Sequence, residues 1–537
     1  MEGSAPTTSS DQGLAREAIG LREVFFQSVT HMAPAAAVAF SIIVGANFAS
    51  GALPLSVIFA LVGCLLVAIS IGQLAKHLPS AGGFYTYTAR GIHPSIGFLV
   101  AWGYAFVEPL VAPALFLIFG QVVASTLDTE FGWSFSTWWW IAALAAAIVV
   151  FLLGFYGIQI STRVGTLLGL FEIGVFTALA IWLIVDAGSD NTLKVFTTTY
   201  ATVPGFKGLS GVIAGSVYTI LAFIGFEAAA PLAEEARDPK RTIGRAVILS
   251  CIGIGIFYIV TTYAAVVFFG PARFFQFPAS GEGNPWDALA RAAWGAGWVL
   301  VFLAIANLAI ANSNAGSNAA TRTWFAMGRI HLLPAMLGRT HPTHRSPHVA
   351  VFVQFVIGVS VALWLGAQYN SPFLAFAILG TIIGAVVIAI YMAVNLACLL
   401  FYAREQRSEF NWFLHGVIPI LGIVAFIPAF MVAIGVGGSI FDFISPLPYP
   451  YSVVGPVVGI WYLLGIAYLI YLYARKPQRV KDTARVFIEP SVVTSSRLVD
   501  RLCRDFELLV PLVRWLNRAL GYQPAKARSS TPPVPAR

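Results

Sequence analysis

Residues 221–241 read LAFIGFEAAAPLAEEARDPKR. The stretch opens inside an apolar run and closes in a cluster of charges, with Gly225, Glu227 and Pro231 in between. Proline lacks a backbone donor and crowds the preceding turn, and glycine lets a chain leave helical geometry. In lipid, the polar groups freed by such a break must be satisfied by protein or water, so broken helices belong where they are buried or line a cavity. The stretch therefore predicts an interrupted membrane helix that helps to build an internal site.

The rest of the chain agrees. Hydrophobic residues make up 58% of the 537 and charged residues 10%, with a mean hydropathy of +0.79. A soluble domain carries about 25% charged residues. A membrane span takes roughly 20 mostly apolar residues, and about twelve such runs are present. They lie near 25–50, 53–73, 95–126, 136–156, 160–186, 209–233, 243–269, 293–321, 347–367, 372–402, 413–437 and 454–474. They lack the period-two alternation of membrane strands. The fold class is an all-α polytopic membrane protein embedded in the lipid bilayer.

Charge placement sets the expected topology. With the side before the first span taken as cytoplasmic, only Lys194, Lys207, Arg273 and Arg291 fall outside. That is a positive-inside distribution, so the net charge of +8 marks topology and not a nucleic-acid partner. Both termini are expected in the cytoplasm. Residues 1–22 lack a signal-peptide apolar core and read as a disordered tail. In the C-terminal tail, 475–537, apolar and basic positions alternate over 496–521. That pattern suits an amphipathic helix, lying on the membrane or packed on the loops. Cys64, Cys251, Cys398 and Cys503 form no C-x-x-C pair, so neither a disulfide framework nor a metal site is expected. No cofactor is expected either. No P-loop, H-E-x-x-H or G-x-S-x-G pattern occurs, which argues against direct ATP use and against an enzyme.

A second run is also interrupted. Residues 30–40, THMAPAAAVAF, place Pro34 inside the first span. Spans one and six are five apart, and breaks at matching positions of two five-span halves point to an inverted-repeat transporter with a midplane site. The expected halves are 23–187 and 208–403, followed by two further helices over 412–474. The GTLLG pattern at 165–169 predicts a close helix contact.

At this point the residues resemble a family. FIGFEAAAPLAEEARDPKRTIGRA (223–246), LPSAGGFYTYTARGIHPSIGFLVAWGY (78–104) and SNAATRTWFAMGRIHLLPAMLGRTHPTHRSPHVA (317–350) look like successive blocks of the amino acid–polyamine–organocation (APC) superfamily permeases. The resemblance implies the superfamily's 5+5 inverted-repeat fold with two extra helices, broken helices one and six, and alternating access. It also implies transport of amino acids or related amines across the plasma membrane by proton coupling, sodium coupling or exchange, with substrate between the unwound parts. Many members carry a Gly-Ser-Gly type break in span one. Here the region is Ala-rich with Pro34.

Helix N-termini favour anions and C-termini favour cations. A pair of broken helices therefore suits the carboxylate and ammonium of an amino acid. Ala33, Pro34, Ala35, Ala36 and Ala37 are expected at the carboxylate, and Phe223, Ile224 and Gly225 at the ammonium. Phe223 and Phe226 are gate candidates or core packing. Three acids lie inside spans, where a charge costs about 2.5–3.5 kcal/mol on insertion scales. Glu227 reads as a proton carrier or as a brace of the break. Glu172 stands where, by the resemblance, proton-coupled relatives carry a lysine; it relays a proton, binds a cation or pairs with a neighbour. Glu108 faces a substrate amine or packs. On span eight, Asn314, Ser317 and Asn318 share a face that lines the cavity, completes a sodium site or binds helices together. His31 reads as structural or as a titrating group, and HPTHRSPH (341–348) as a structural loop. The leading expectation is a proton-coupled amino acid permease; the alternatives are a polyamine or organic-amine permease or exchanger and, more remotely, a nutrient sensor.

Overall fold

A computed structural model describes residues 20–475, except 79–82, 157–161, 235, 237, 330–332, 342–345, 439–440 and 442. The C-terminal segment 496–521, Cys503, most of the N-terminal tail and the centre of the HPTHRSPH tract lie outside the described residues.

Every regular element among the described residues is helical, and 12 helical segments are long and apolar enough to cross a bilayer. In chain order they are Val24–Ile42, Ala46–Ala75, Pro94–Phe131, Phe135–Tyr156, Leu167–Asp190, Leu209–Ala230, Lys240–Phe269, Pro285–Phe325, His348–Tyr369, Pro372–Arg404, Trp412–Ala433 and Tyr451–Ala474. We call them spans 1 to 12. Long apolar runs choose the helix because it satisfies every backbone group within the segment.

Burial separates the interior from the rim. In the apolar 18-residue windows of spans 6 and 10, 83% of residues are buried, and in that of span 3, 78%, against 22% in span 12. Spans 3, 6 and 10 therefore form the packed centre, and span 12 shows most of its surface to lipid. Spans 2 and 7 pack extensively, and they cross at a glycine pair. A Cβ built on Gly72 would lie 3.1 Å from the Gly244 Cα. Small residues at such crossings let backbones approach where lipid supplies no hydrophobic drive between helices.

Two expectations need correction. The GTLLG pattern predicts a close contact, yet a Cβ on its second glycine, Gly169, would meet nothing within 4 Å; the side of the helix at Gly165 is outside the described residues. Gly169 lies on an open face of span 5. Span 8 is also longer than its apolar run suggests. A separate amphipathic helix, Pro285–Trp294, precedes the main helix Trp298–Arg329. Its Trp286 is fully buried.

Candidate functional site

Span 1 stops at one residue. The helix Leu21–Met32 ends before Ala33, which has φ 48° and ψ 65°. This left-handed conformation is disfavoured for a residue with a Cβ. Pro34 then opens a new turn, Pro34–Ala36, which continues as a π-helical segment, Ala37–Ile42. Proline suits a first helical position because the missing N–H has no partner there. The proline thus starts the second half, and Ala33 takes the strain.

Span 6 breaks differently. The helix Leu209–Phe223 ends, Ile224 turns extended, Gly225 adopts φ 117°, and the chain resumes as a 3-10 helix, Phe226–Glu234. A Cβ on Gly225 would lie 2.7 Å from the His31 carbonyl carbon and 2.8 Å from the Met32 nitrogen. No side chain fits there, so the two breaks lie directly against each other. The two spans run antiparallel. The Ser28 hydroxyl donates to the Phe226 carbonyl at 2.8 Å, and further along a Cβ on Gly45 would come within 2.9 Å of the Gly215 carbonyl oxygen.

Helix ends leave carbonyls and amides without intrahelical partners. Side chains from neighbouring spans meet several of them here. The Tyr258 hydroxyl on span 7 lies 2.9 Å from the Ala222 carbonyl and 3.2 Å from the Met32 carbonyl, one from each break. The Trp286 indole donates to the Val38 carbonyl at 3.1 Å. The Ala33 carbonyl accepts from the Ala37 amide, and the Gly225 carbonyl from the Ala228 amide. Ala35 and Ala36 stand in the first turn of the second half of span 1, packed against spans 5 and 8.

The Glu227 carboxylate caps the span-6 break. Its Oε2 accepts from the Gly225 amide at 2.9 Å and the Tyr391 hydroxyl at 3.0 Å, and its Oε1 from the Tyr104 hydroxyl at 3.4 Å. Tyr104, Tyr391, Phe226 and Phe84 form an aromatic wall around it, with ring centroids 5.5–5.9 Å apart. Glu108 lies one helical turn from Tyr104 on the same face of span 3; it is buried and its Oε2 has no hydrogen-bond partner. Phe223 is buried edge-on against Tyr258, 5.2 Å between centroids.

Glu172 on span 5 is 1% exposed. Its Oε1 accepts from the Asn307 side-chain amide of span 8, and its Oε2 has no partner. Both helices pack on the Pro34–Ala36 turn. Asn314, seven residues on from Asn307, has its Oδ1 buried without a partner. Asn318 and Ser317 line a separate cleft with Phe116, Val150, Gln354 and Phe355. The structure thus gathers Ala33–Ala37, Phe223–Glu227 and, through Tyr104, Glu108 around the two breaks. Glu172 flanks them, and Asn318 faces elsewhere.

Reading the sequence missed Tyr258, Tyr391, Tyr104, Asn307 and Trp286. A signal for the tyrosines existed, since a buried tyrosine hydroxyl in an apolar run must find an acceptor. Which acceptor depends on the fold.

The sequence pattern of the amino acid permease family matches residues 19–472. The low-affinity putrescine importer PlaP of Escherichia coli (strain K12) is 26% identical over 401 residues, covering 73% of this chain and 83% of the importer. The branched-chain amino acid permease BcaP of Lactococcus lactis is 26% identical over 479 residues, covering 81% of this chain and 90% of that permease. An uncharacterized transporter, Rv1999c of Mycobacterium tuberculosis, is 27% identical over 392 residues, covering 72% of this chain and 79% of its own length.

Proposed function

This chain belongs to the amino acid permease family, and from that premise we propose that it carries an amino acid or an organic amine across the plasma membrane by alternating access, coupled to protons. One observation supports this most. Two broken helices run antiparallel with their breaks in contact, so the helix ends of both converge on one buried place. First-turn amides of Ala35 and Ala36 suit a carboxylate. The end of the first half of span 6, at Phe223 and Ile224, suits an ammonium.

The coupling proposal rests on Glu227. As a carboxylate it accepts from Gly225, Tyr391 and Tyr104. A proton on Oε2 takes one of its acceptor positions and makes it a donor, so it no longer accepts from both Gly225 and Tyr391. Protonation therefore loosens the cap that holds the break, and the geometry of the break follows the proton. In this reading Glu227 braces the break and carries the proton with one and the same carboxyl group. Glu172 is the second proposed proton group, because its Oε2 stands unpartnered beside the turn that carries Ala35 and Ala36.

The amine reading has its own observation. The Glu108 Oε2 is a buried acceptor with nothing donating to it, which suits an ammonium group, and one relative is named a putrescine importer.

Proteoliposomes test the proposal. Wild-type protein should accumulate labelled leucine or labelled putrescine when the outside is acidified, with no added sodium. Accumulation that needs a sodium gradient at fixed pH would overturn the coupling. Binding of either compound without flux would favour a sensor.

A further inference from the structure

Span 3 carries two prolines, Pro109 and Pro113, yet runs as one helix from Pro94 to Phe131. Each proline deletes one bond of the i to i−4 ladder. Pro109 leaves the Ala105 carbonyl without its donor, and Pro113 leaves the Pro109 carbonyl without its own. Both vacancies are filled from outside. The Trp324 indole N–H on span 8 donates to the Ala105 carbonyl at 3.2 Å. The Gln354 side-chain amide on span 9 donates to the Pro109 carbonyl at 3.0 Å. Both donor residues are buried. In a bilayer interior such bonds hold in place a stretch that would otherwise seek water or rearrange.

Glu108 lies between the two repaired carbonyls, immediately before Pro109, and its Oε2 is buried and unpartnered. One turn back is Tyr104, which reaches Glu227. The repaired stretch is thus the part of span 3 that presents an acid and a phenol to the site. We infer that Trp324 and Gln354 are positioning residues: each replaces one proline-deleted hydrogen bond of span 3, and together they hold Glu108 toward the substrate. The inference rests on the proposed role of Glu108 in meeting a substrate amine. Neither residue contributes through its own identity as a tryptophan or a glutamine; each contributes a single N–H at a fixed place.

That makes the inference testable by crossed rescue. Trp324→Phe removes the indole N–H and Gln354→Leu removes the amide. Pro109→Ala restores a backbone N–H for the Ala105 carbonyl, and Pro113→Ala restores one for the Pro109 carbonyl. Uptake is measured in proteoliposomes with whichever of labelled leucine or putrescine the wild-type protein accumulates. W324F should raise KM about tenfold with the maximal rate kept, as expected for a buried acceptor left without a donor near the ligand. P109A should return W324F close to the wild-type KM, and P113A should not. The pattern reverses for Q354L. In a Glu108→Gln background, W324F should leave KM where E108Q alone puts it. Rescue of both variants by either proline change, or of neither by its matched one, overturns the pairing. An unchanged KM in W324F and Q354L overturns the positioning. If the wild-type protein moves neither compound, that result bears on the substrate and not on the pairing, and the crossed rescue is read instead in melting temperatures of detergent-purified protein. Matched rescue there upholds the pairing, and its absence refutes it.

Discussion

Spans 6 and 3 each carry helix breakers in the packed centre, with opposite outcomes. Gly225 ends a helix, and the chain crosses two residues before it resumes. Pro109 and Pro113 leave their helix unbroken. The difference lies in the neighbours. In span 3 the lost ladder bonds are supplied one for one by Trp324 and Gln354. In span 6 a second broken backbone lies against the gap, and Tyr258 and Glu227 cap the two separated ends without rejoining them. A breaker in a membrane helix leaves a gap where neighbours cap the separated ends, and leaves none where they replace the missing ladder bonds of a continuous helix.

The largest expected effect breaks the comparison at span 6. Gly225→Ala places a Cβ 2.7 Å from the His31 carbonyl carbon at a φ of 117°, a sparsely populated backbone region that costs an L-residue about 1–3 kcal/mol before any clash. Uptake in proteoliposomes should vanish, and the melting temperature should fall. A variant that transports normally would mean that the breaks do not meet. Next comes Glu227→Gln. It keeps a hydrogen-bonding side chain over the break but cannot exchange a proton. Concentrative uptake driven by acid outside should be lost while exchange of internal for external substrate survives. Acid-driven accumulation by E227Q at the wild-type level would remove Glu227 from coupling.

Tyr258→Phe is smaller. It takes away the hydroxyl placed between the Ala222 and Met32 carbonyls, and a lost buried hydrogen bond costs about 1–3 kcal/mol. Transport should drop about tenfold, with the protein still folded by thermal melt. An unaffected Y258F would show that water serves as well at this point. Smallest is Pro109→Ala alone. Its restored N–H competes with a donor already present, so uptake should stay near wild type. A large loss would mean that the proline shapes span 3 by more than its missing bond.

Much of the fold was legible because it is dictated by length and apolarity. The twelve runs had to be helices, since lipid leaves backbone groups no other partner. The break in span 6 was legible too, because Gly225, Glu227 and Pro231 are costly residues in a row. Span 1 is less legible: Pro34 marks the break, while the strained residue is Ala33, and nothing in an alanine announces a left-handed backbone. Tyr258 was invisible for a different reason. Its hydroxyl matters only because span 7 passes beside two breaks at once, a fact of packing. The same holds for Asn307. Helical spacing groups Asn314, Ser317 and Asn318 on one face, but it cannot say which residue of span 8 meets Glu172. Two prolines in one long apolar run require two donors, but the sequence does not say that Trp324 and Gln354 are those donors.

The central claim is that the meeting of the two breaks is where substrate binds. Its most direct test is substrate protection of a cysteine placed there. In a background with the four native cysteines replaced, Ala36→Cys is exposed to a small thiol reagent in the presence of rising leucine or putrescine. The account predicts that labelling falls with substrate, half-protected near the concentration that half-saturates uptake. Labelling that is rapid and indifferent to substrate at saturating concentration would contradict it.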